Sequence, residues 1–228
     1  MANLILKNGL KAYQEKRYED ALKYFNKLED DEKKNYYLGL TYARLNDYDS
    51  AIFHLKNYLK KETDYQFMIQ VMMVLGYIYA QKEDFRKSKL YFEKALQLDF
   101  NNSKAYAALG YVYYKMRNFN EAIKSLRKAI EIDEKNATAH NSLGYIYADL
   151  NMQLEEAIKE CEIALQLSPD YPAYLDSMGW AYYRKGDIEK AKEYLAKAME
   201  LMPDNKEIQE HFRNVVIKEI AKKKEKID

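Results

Sequence analysis

Apolar and small residues return along this chain in a frame about 34 residues long. Leu75-Gly76-Tyr77-Ile78-Tyr79, Leu109-Gly110-Tyr111-Val112-Tyr113, Leu143-Gly144-Tyr145-Ile146-Tyr147 and Met178-Gly179-Trp180-Ala181-Tyr182 are spaced 34, 34 and 35 residues apart. An earlier copy at Gly39 lies 37 residues before Gly76, and a degenerate one at Gly9 lies 30 before Gly39. Twelve residues past these glycines stand Ala21, Ala51, Ser88, Ala122 and Ala191; Ala157 comes thirteen past, because the fifth copy holds one extra residue. Four residues further come Phe25, Leu55, Phe92, Leu126, Cys161 and Leu195. Small residues let two helix backbones cross closely, and large apolar neighbours fill the remaining space. The pattern predicts six pairs of antiparallel helices, near 2–31, 32–68, 69–102, 103–136, 137–171 and 172–205. A last helix follows over 206–226, with an apolar stripe of Ile208, Phe212, Val215 and Val216 and a solvated end of Lys222, Lys223, Lys224 and Lys226.

A single helical pair cannot bury its own apolar face, so neighbouring pairs must stack. Period and marks together resemble the tetratricopeptide repeat family: Leu-Gly-x-x-Tyr, then Ala-x-x-x-Phe, then Pro, the last present as Pro169 and Pro203. The resemblance covers nearly the whole chain. It implies an all-α solenoid of about six helix-turn-helix repeats in a right-handed superhelix with a C-terminal capping helix, expected here as one domain over 1–228. The longest period falls at Lys60-Lys61-Glu62-Thr63-Asp64, where a bend or irregular loop is expected. Asn141-Ser142-Leu143-Gly144-Tyr145, the run Pro172–Trp180 and Glu207-Ile208-Gln209-Glu210-His211 are similar to a bacterial subgroup of adaptors and envelope lipoproteins, whose lipidated N-terminal Cys is absent here.

Composition agrees with a helical globular chain: 48% hydrophobic, 32% charged, 7 Gly and 3 Pro. With 37 basic against 36 acidic residues, net +1, there is no basic excess of the kind that marks nucleic-acid binders, and none is expected as partner. No apolar run approaches the ~20 residues of a membrane span. Met1-Ala2-Asn3-Leu4-Ile5-Leu6-Lys7 lacks the basic-then-apolar layout of a signal peptide, so the cytoplasm is the expected location, with the bacterial envelope or periplasm as the alternative if a signal sequence was removed.

Site chemistry for catalysis is missing. Cys161 is the single cysteine and falls on an apolar repeat position, where a buried small hydrophobe is expected. His54, His140 and His211 lie in separate repeats without metal-ligand spacing, and His140 takes the Trp-type position of its repeat. No phosphate loop, Gly-x-Ser-x-Gly or His-Glu-x-x-His occurs. The expectation is no catalytic residue, no metal and no cofactor.

The aromatic residues carry the functional signal. Tyr42, Tyr79, Tyr113, Tyr147 and Tyr182 stand three past the glycine; Tyr77, Tyr111, Tyr145 and Trp180 stand one past it. Two helical positions turn by about 200°, so the two sets face opposite ways. If the Tyr42 set packs against the partner helix, the Tyr77 set points away from it. In tetratricopeptide arrays the first helices line the concave ligand groove. The resemblance therefore implies a peptide-binding groove of Tyr77, Tyr111, Tyr114, Asn141, Tyr145, Asp176, Trp180, Tyr183 and Arg184. Lys104 and Arg184 alone do not rebuild the family's carboxylate clamp, so no preference for a free acidic C-terminus is expected. The expected partner is a protein or peptide segment, with the rings either contacting it or only tightening adjacent helices. Two alternatives stay open: self-assembly into a homo-oligomer through an end patch at Ile5 and Leu6, and stacking of single-stranded RNA on the rings.

Overall fold

The computed structural model describes residues 2–29, 31–61 and 64–224. Among them are thirteen α-helices and no strand. In order they are α1 (Ala2–Gln14), α2 (Tyr18–Phe25), α3 (Asp31–Arg44), α4 (Tyr48–Leu59), α5 (Tyr65–Gln81), α6 (Phe85–Leu98), α7 (Ser103–Lys115), α8 (Phe119–Ile132), α9 (Ala137–Asp149), α10 (Leu154–Leu167), α11 (Pro172–Lys185), α12 (Ile188–Leu201) and α13 (Lys206–Lys224). The fold is an all-α helical-repeat solenoid. Its residues group into two compact units, Met1–Ala105 and Tyr106–Asp228, divided within α7.

Each pair is closed by the contact that the repeat frame anticipates. Ala21, Ala51, Ser88, Ala122, Ala157 and Ala191 are all fully buried. A Cβ built on Gly76 would stand 2.5 Å from the Phe92 ring, and one on Gly110 would stand 2.5 Å from Leu126 Cγ. At Gly144 it would meet Cys161 Sγ at 2.6 Å and the backbone oxygen of Ala157 at 2.7 Å. The glycines are thus a matter of clearance: the second helix's apolar side chain lies flat on the first helix's backbone.

The turn between paired helices recurs with the same backbone. Lys16, Asn46, Glu83, Arg117, Asn151 and Gly186 all have positive φ, between 54° and 93°. The next residue's N–H reaches back to a carbonyl five residues earlier, for example Asp47 to Tyr42 at 3.0 Å and Asp84 to Tyr79 at 2.9 Å. This is the left-handed helix stop that satisfies orphan carbonyls. Asp47, Asp84 and Asp187 then cap the second helix, each accepting from a backbone N–H three residues on. The extra residue of the fifth copy is absorbed here, with Gln153 as a further left-handed residue (φ 44°).

In unit 1, α1 to α6 pack in sequence, with α3 also against α5. Helix α5 starts at Tyr65, four residues before the expected repeat boundary, because Asp64 accepts from the Gln66 N–H at 2.8 Å and starts the helix there. Ile5 and Leu6 are partly buried. They pack on Ala12, Ala21, Phe25, Leu28 and Leu38, and Leu4 is the exposed apolar residue. In unit 2, α8 to α13 pack in sequence, with α9 also on α11 and α11 on α13. Its core runs through Leu126, Leu143, Tyr147, Cys161, Met178, Leu195 and Val215. The Lys222, Lys223, Lys224 and Lys226 side chains lie outside the described residues, as do Glu62 and Thr63 of the expected irregular junction. Among the described residues no helix is long and apolar enough to cross a membrane.

Candidate functional site

The two aromatic sets separate as helical geometry requires. Three past the glycine, Tyr42 stacks on His54, Tyr79 on Tyr91 and Tyr182 on Tyr194, with interplanar angles of 5°, 10° and 9°. These rings tie the first helix to its own partner helix. One past the glycine, Tyr77 and Tyr111 are 48% and 44% exposed, and Tyr145 is half-buried. Trp180 breaks the series at 8% exposed, and Asp176 on the same helix is 6% exposed. The sequence pattern puts both on the open face, and the structure corrects this.

The reason is α13. Its His211 ring lies parallel to Trp180, with centroids 4.3 Å apart and planes 17° apart. Nδ1 of His211 is 3.0 Å from both carboxylate oxygens of Asp176. Lys218 Nζ sits 4.7 Å from the Tyr183 ring centroid, and Tyr183 stacks on Trp180 at 5.0 Å. The Arg184 guanidinium lies 5.7 Å from the Trp180 ring. The last stretch of the expected groove is therefore covered from within. Burial pulls the His211 imidazole down, but the hydrogen bond and charge of Asp176, with Glu207 and Glu210 nearby, outweigh it and hold it above its ordinary value. Burial raises the Asp176 carboxyl; Glu207 adds to this and His211 opposes it.

Where α13 leaves off, unit 2 keeps a hollow of about 260 Å³, lined by Tyr111, Tyr114, Asn141, Tyr145, Asp176 and Glu207 among others. Small side chains make the room: Ser142, Ala173 and Ser177 stand where larger ones would close it. Tyr114 donates to Asp149 Oδ2 at 2.6 Å, and Tyr145 donates to Glu207 Oε1 at 3.0 Å. The two rings meet edge to face at 5.9 Å. Burial first, then these carboxylates, pushes both phenols up, so both keep their protons. The Asn141 side-chain oxygen is buried without a hydrogen-bond partner; so are Trp180 Nε1 and Arg184 Nε. An unmade buried hydrogen bond costs about 1–3 kcal/mol. Within unit 1, a separate hollow of about 530 Å³ is lined by Tyr13, Leu40, Arg44, Tyr48, Val74 and Tyr77 among others, with Arg44 Nε donating to the Tyr13 hydroxyl at 3.2 Å.

Thus Tyr111, Tyr114, Asn141 and Tyr145 come together, joined by Asp176 at the edge. Trp180, Tyr183 and Arg184 form a second cluster under α13, and Tyr77 lines the unit 1 hollow. Sequence reasoning misses Glu207, His211 and Lys218 as site residues. Carrying the repeat frame one copy further finds Glu207 and Lys218, which take the second and thirteenth positions of a seventh first helix. Outside these hollows, Cys161 is fully buried and its thiol is pushed up by that burial, leaving it unreactive. His140 bonds Glu160 through Nδ1 and the Glu134 carbonyl through Nε2, which ties α9 to α10.

Helix pairs in a 34-residue frame, with first-helix side chains lining the hollows, define a helical-repeat protein of the tetratricopeptide class. Comparison with known proteins agrees. The tetratricopeptide repeat protein 21 C-terminal ARM domain model matches residues 3–178, and a tetratricopeptide repeat model matches 172–205. The chain belongs to the tetratricopeptide repeat family. A TPR repeat-containing protein of Pseudomonas aeruginosa is 43% identical over 58 residues, which are 25% of this chain and only 10% of that relative. The MamA protein of Desulfovibrio magneticus RS-1, from residue 41 onward, superimposes with a TM-score of 0.60 at 26% identity, covering 78% of this chain and 98% of that one. Cut9, in the APC/C hetero-tetramer Cut9–Hcn1, superimposes with a TM-score of 0.79 at 18% identity over 92% of this chain and 42% of that one, a likeness of fold. The family's fold is in general terms that of a protein–protein interaction scaffold.

Proposed function

We propose that this chain is a non-catalytic scaffold or adaptor that holds a segment of another protein in its first-helix hollows. Tyr111, Tyr114, Tyr145 and Asn141 make the contacts in unit 2, and Tyr77 makes them in unit 1. The observation that carries this reading is the unit 2 hollow itself, where three tyrosines and an unpaired buried amide oxygen converge on one space. Aromatic anchors in a preformed pocket give much contact for little loss of side-chain freedom, and they dominate binding at protein interfaces. An amide oxygen beside them would accept a backbone N–H from the bound segment. Trp180, Asp176 and Tyr183 bind α13, with Arg184 against Trp180, and a partner reaches these three only by displacing that helix.

The test is selection of a displayed random-peptide library on the whole chain, followed by affinity measurement on a Tyr111→Ala/Tyr114→Ala variant. Peptides recovered on the wild type should lose about tenfold or more on the variant, with the circular-dichroism spectrum unchanged. Recovery of no binders, or of binders indifferent to the variant, sinks the reading.

A further inference from the structure

Several hydrogen-bond acceptors line the unit 2 hollow, while the Tyr114, Tyr145 and Ser177 hydroxyls donate to other groups. Asp176 and Glu207 line it, Asp149 stands behind Tyr114, and the Asn141 oxygen is unpaired. Both Tyr hydroxyls point their protons at carboxylates, which leaves the ring faces and the remaining oxygen lone pairs toward the space. One cationic side chain lines the same space, and one imidazole lies beside it. His211 is already committed to Asp176, and Lys115 has its amine 5.6 Å from the Tyr111 ring centroid. The chain's own lysine thus already places a cation over a ring of this wall. The carboxylates are not gathered for a metal: among the described residues no group of three or more His, Cys, Asp or Glu could hold one. At about 260 Å³ the space also falls short of the ~300–1,000 Å³ of a pocket for a whole small molecule, and suits one long side chain.

We propose that this hollow is an arginine subsite: the guanidinium of an arginine on the bound protein segment enters between Tyr111, Tyr114 and Tyr145 and donates to Glu207 and the Asn141 oxygen. Arginine fits better than lysine. Its planar fork offers five donors to acceptors spread around the space, it is weakly hydrated, and it stacks on aromatic faces. The proposal rests on the docking reading above and deepens it by naming the side chain recognised.

The test uses the whole chain and four probes: the Nα-acetyl, N-methylamide derivatives of arginine, lysine, norleucine and glutamate, titrated against backbone amide resonances. The arginine probe should shift Tyr114, Asn141, Tyr145 and Glu207, and bind about tenfold more tightly than norleucine. That margin should shrink in Glu207→Gln, which keeps an acceptor for the Tyr145 hydroxyl, and at high salt. Norleucine equal to arginine, glutamate or lysine above it, or shifts confined elsewhere would overturn the proposal. Failure of the two readings is distinguishable. Hollow-dependent library peptides without an enriched arginine defeat the arginine subsite and leave docking intact. An arginine probe that binds while the library yields nothing defeats docking and leaves a site for a free cation.

Discussion

His211 lies flat on Trp180, with ring centroids 4.3 Å apart, and from the same ring bonds both oxygens of Asp176 at 3.0 Å. One residue of α13 thereby covers the last aromatic of the first-helix series and satisfies the buried carboxylate beside it. Removing the imidazole leaves Asp176 buried without its partner, a loss of about 3–5 kcal/mol for a broken buried pair. His211→Ala should lower the melting temperature. Because Trp180 is the single tryptophan, the loss should also appear as a red-shifted emission maximum in the folded protein. An unchanged spectrum and melt would show that α13 does not hold that face.

The same contact makes docking of α13 depend on pH. The folded His211 pKa is raised above 6.5, so its contribution is full below that value and is lost as pH rises through the folded one. Asp176 is raised above 3.8 by burial, and it too favours the folded state less as pH rises through its folded value. The neighbouring Glu207 and Glu210 push His211 in the same direction. Trp180-detected melts should therefore fall as pH rises above about 6.5, and His211→Gln should flatten the slope. A wild-type curve that rises over this range contradicts the assignment.

Gly144 is the tightest test of clearance between paired helices. Its added Cβ meets a side chain, Cys161 Sγ, and also a backbone oxygen, that of Ala157, at 2.7 Å. Gly144→Ala should destabilise by about 1–3 kcal/mol, as overpacking does. Adding Cys161→Ala should restore only part of the loss, because the carbonyl cannot step aside. Full rescue in chemical denaturation would place the clash on the thiol alone.

The turn residues offer stabilisation. Glu83 and Arg117 hold φ near 60° without the freedom of glycine, which Gly186 supplies at the same place in the sixth repeat. A left-handed residue with a side chain carries about 1–2 kcal/mol of strain, partly offset by the greater unfolded-state entropy of glycine. Glu83→Gly and Arg117→Gly should each gain up to about 1 kcal/mol, and Gly186→Ala should lose about as much. Asn46→Gly and Asn151→Gly should change little, since Asn tolerates this conformation. Equal losses in all these turns, measured by denaturant melts, would refute strain as the cause.

Tyr111 separates packing from docking. At 44% exposed it keeps over half its surface from water, so Tyr111→Ala should cost about 1–2 kcal/mol of stability while weakening selected peptides. Tyr145, half-buried and bonded to Glu207, should cost more in stability when truncated. A large melting shift for Tyr111→Ala with peptide affinity intact would make the ring a packing element.

Much of the fold is legible in sequence because its determinants are local or strictly periodic. Gly110 with Leu126, and Ser88 donating to the Gly76 carbonyl at 2.8 Å, are contacts inside one repeat, set by spacing alone. The site is legible in part. The 200° turn between neighbouring rings puts Tyr77 and Tyr111 on the open face, but it says nothing of what lies over that face. Trp180 shares their register, yet is buried because His211 of α13 lies over it. Ile5 and Leu6 are partly buried for a related reason: they pack on a cluster that joins Phe25 of their own pair to Leu38 of the next.

Sequence by itself determined the period, the helix pairs, the glycine clearances and the side of each helix that every ring takes, since these follow from residue size and from 3.6 residues per turn. Tertiary structure decided which rings meet water, where the unit 2 hollow opens, and that α13 covers Trp180 and Asp176. Burial belongs to the space between elements, and which element fills that space is settled only when the whole set of helices packs together.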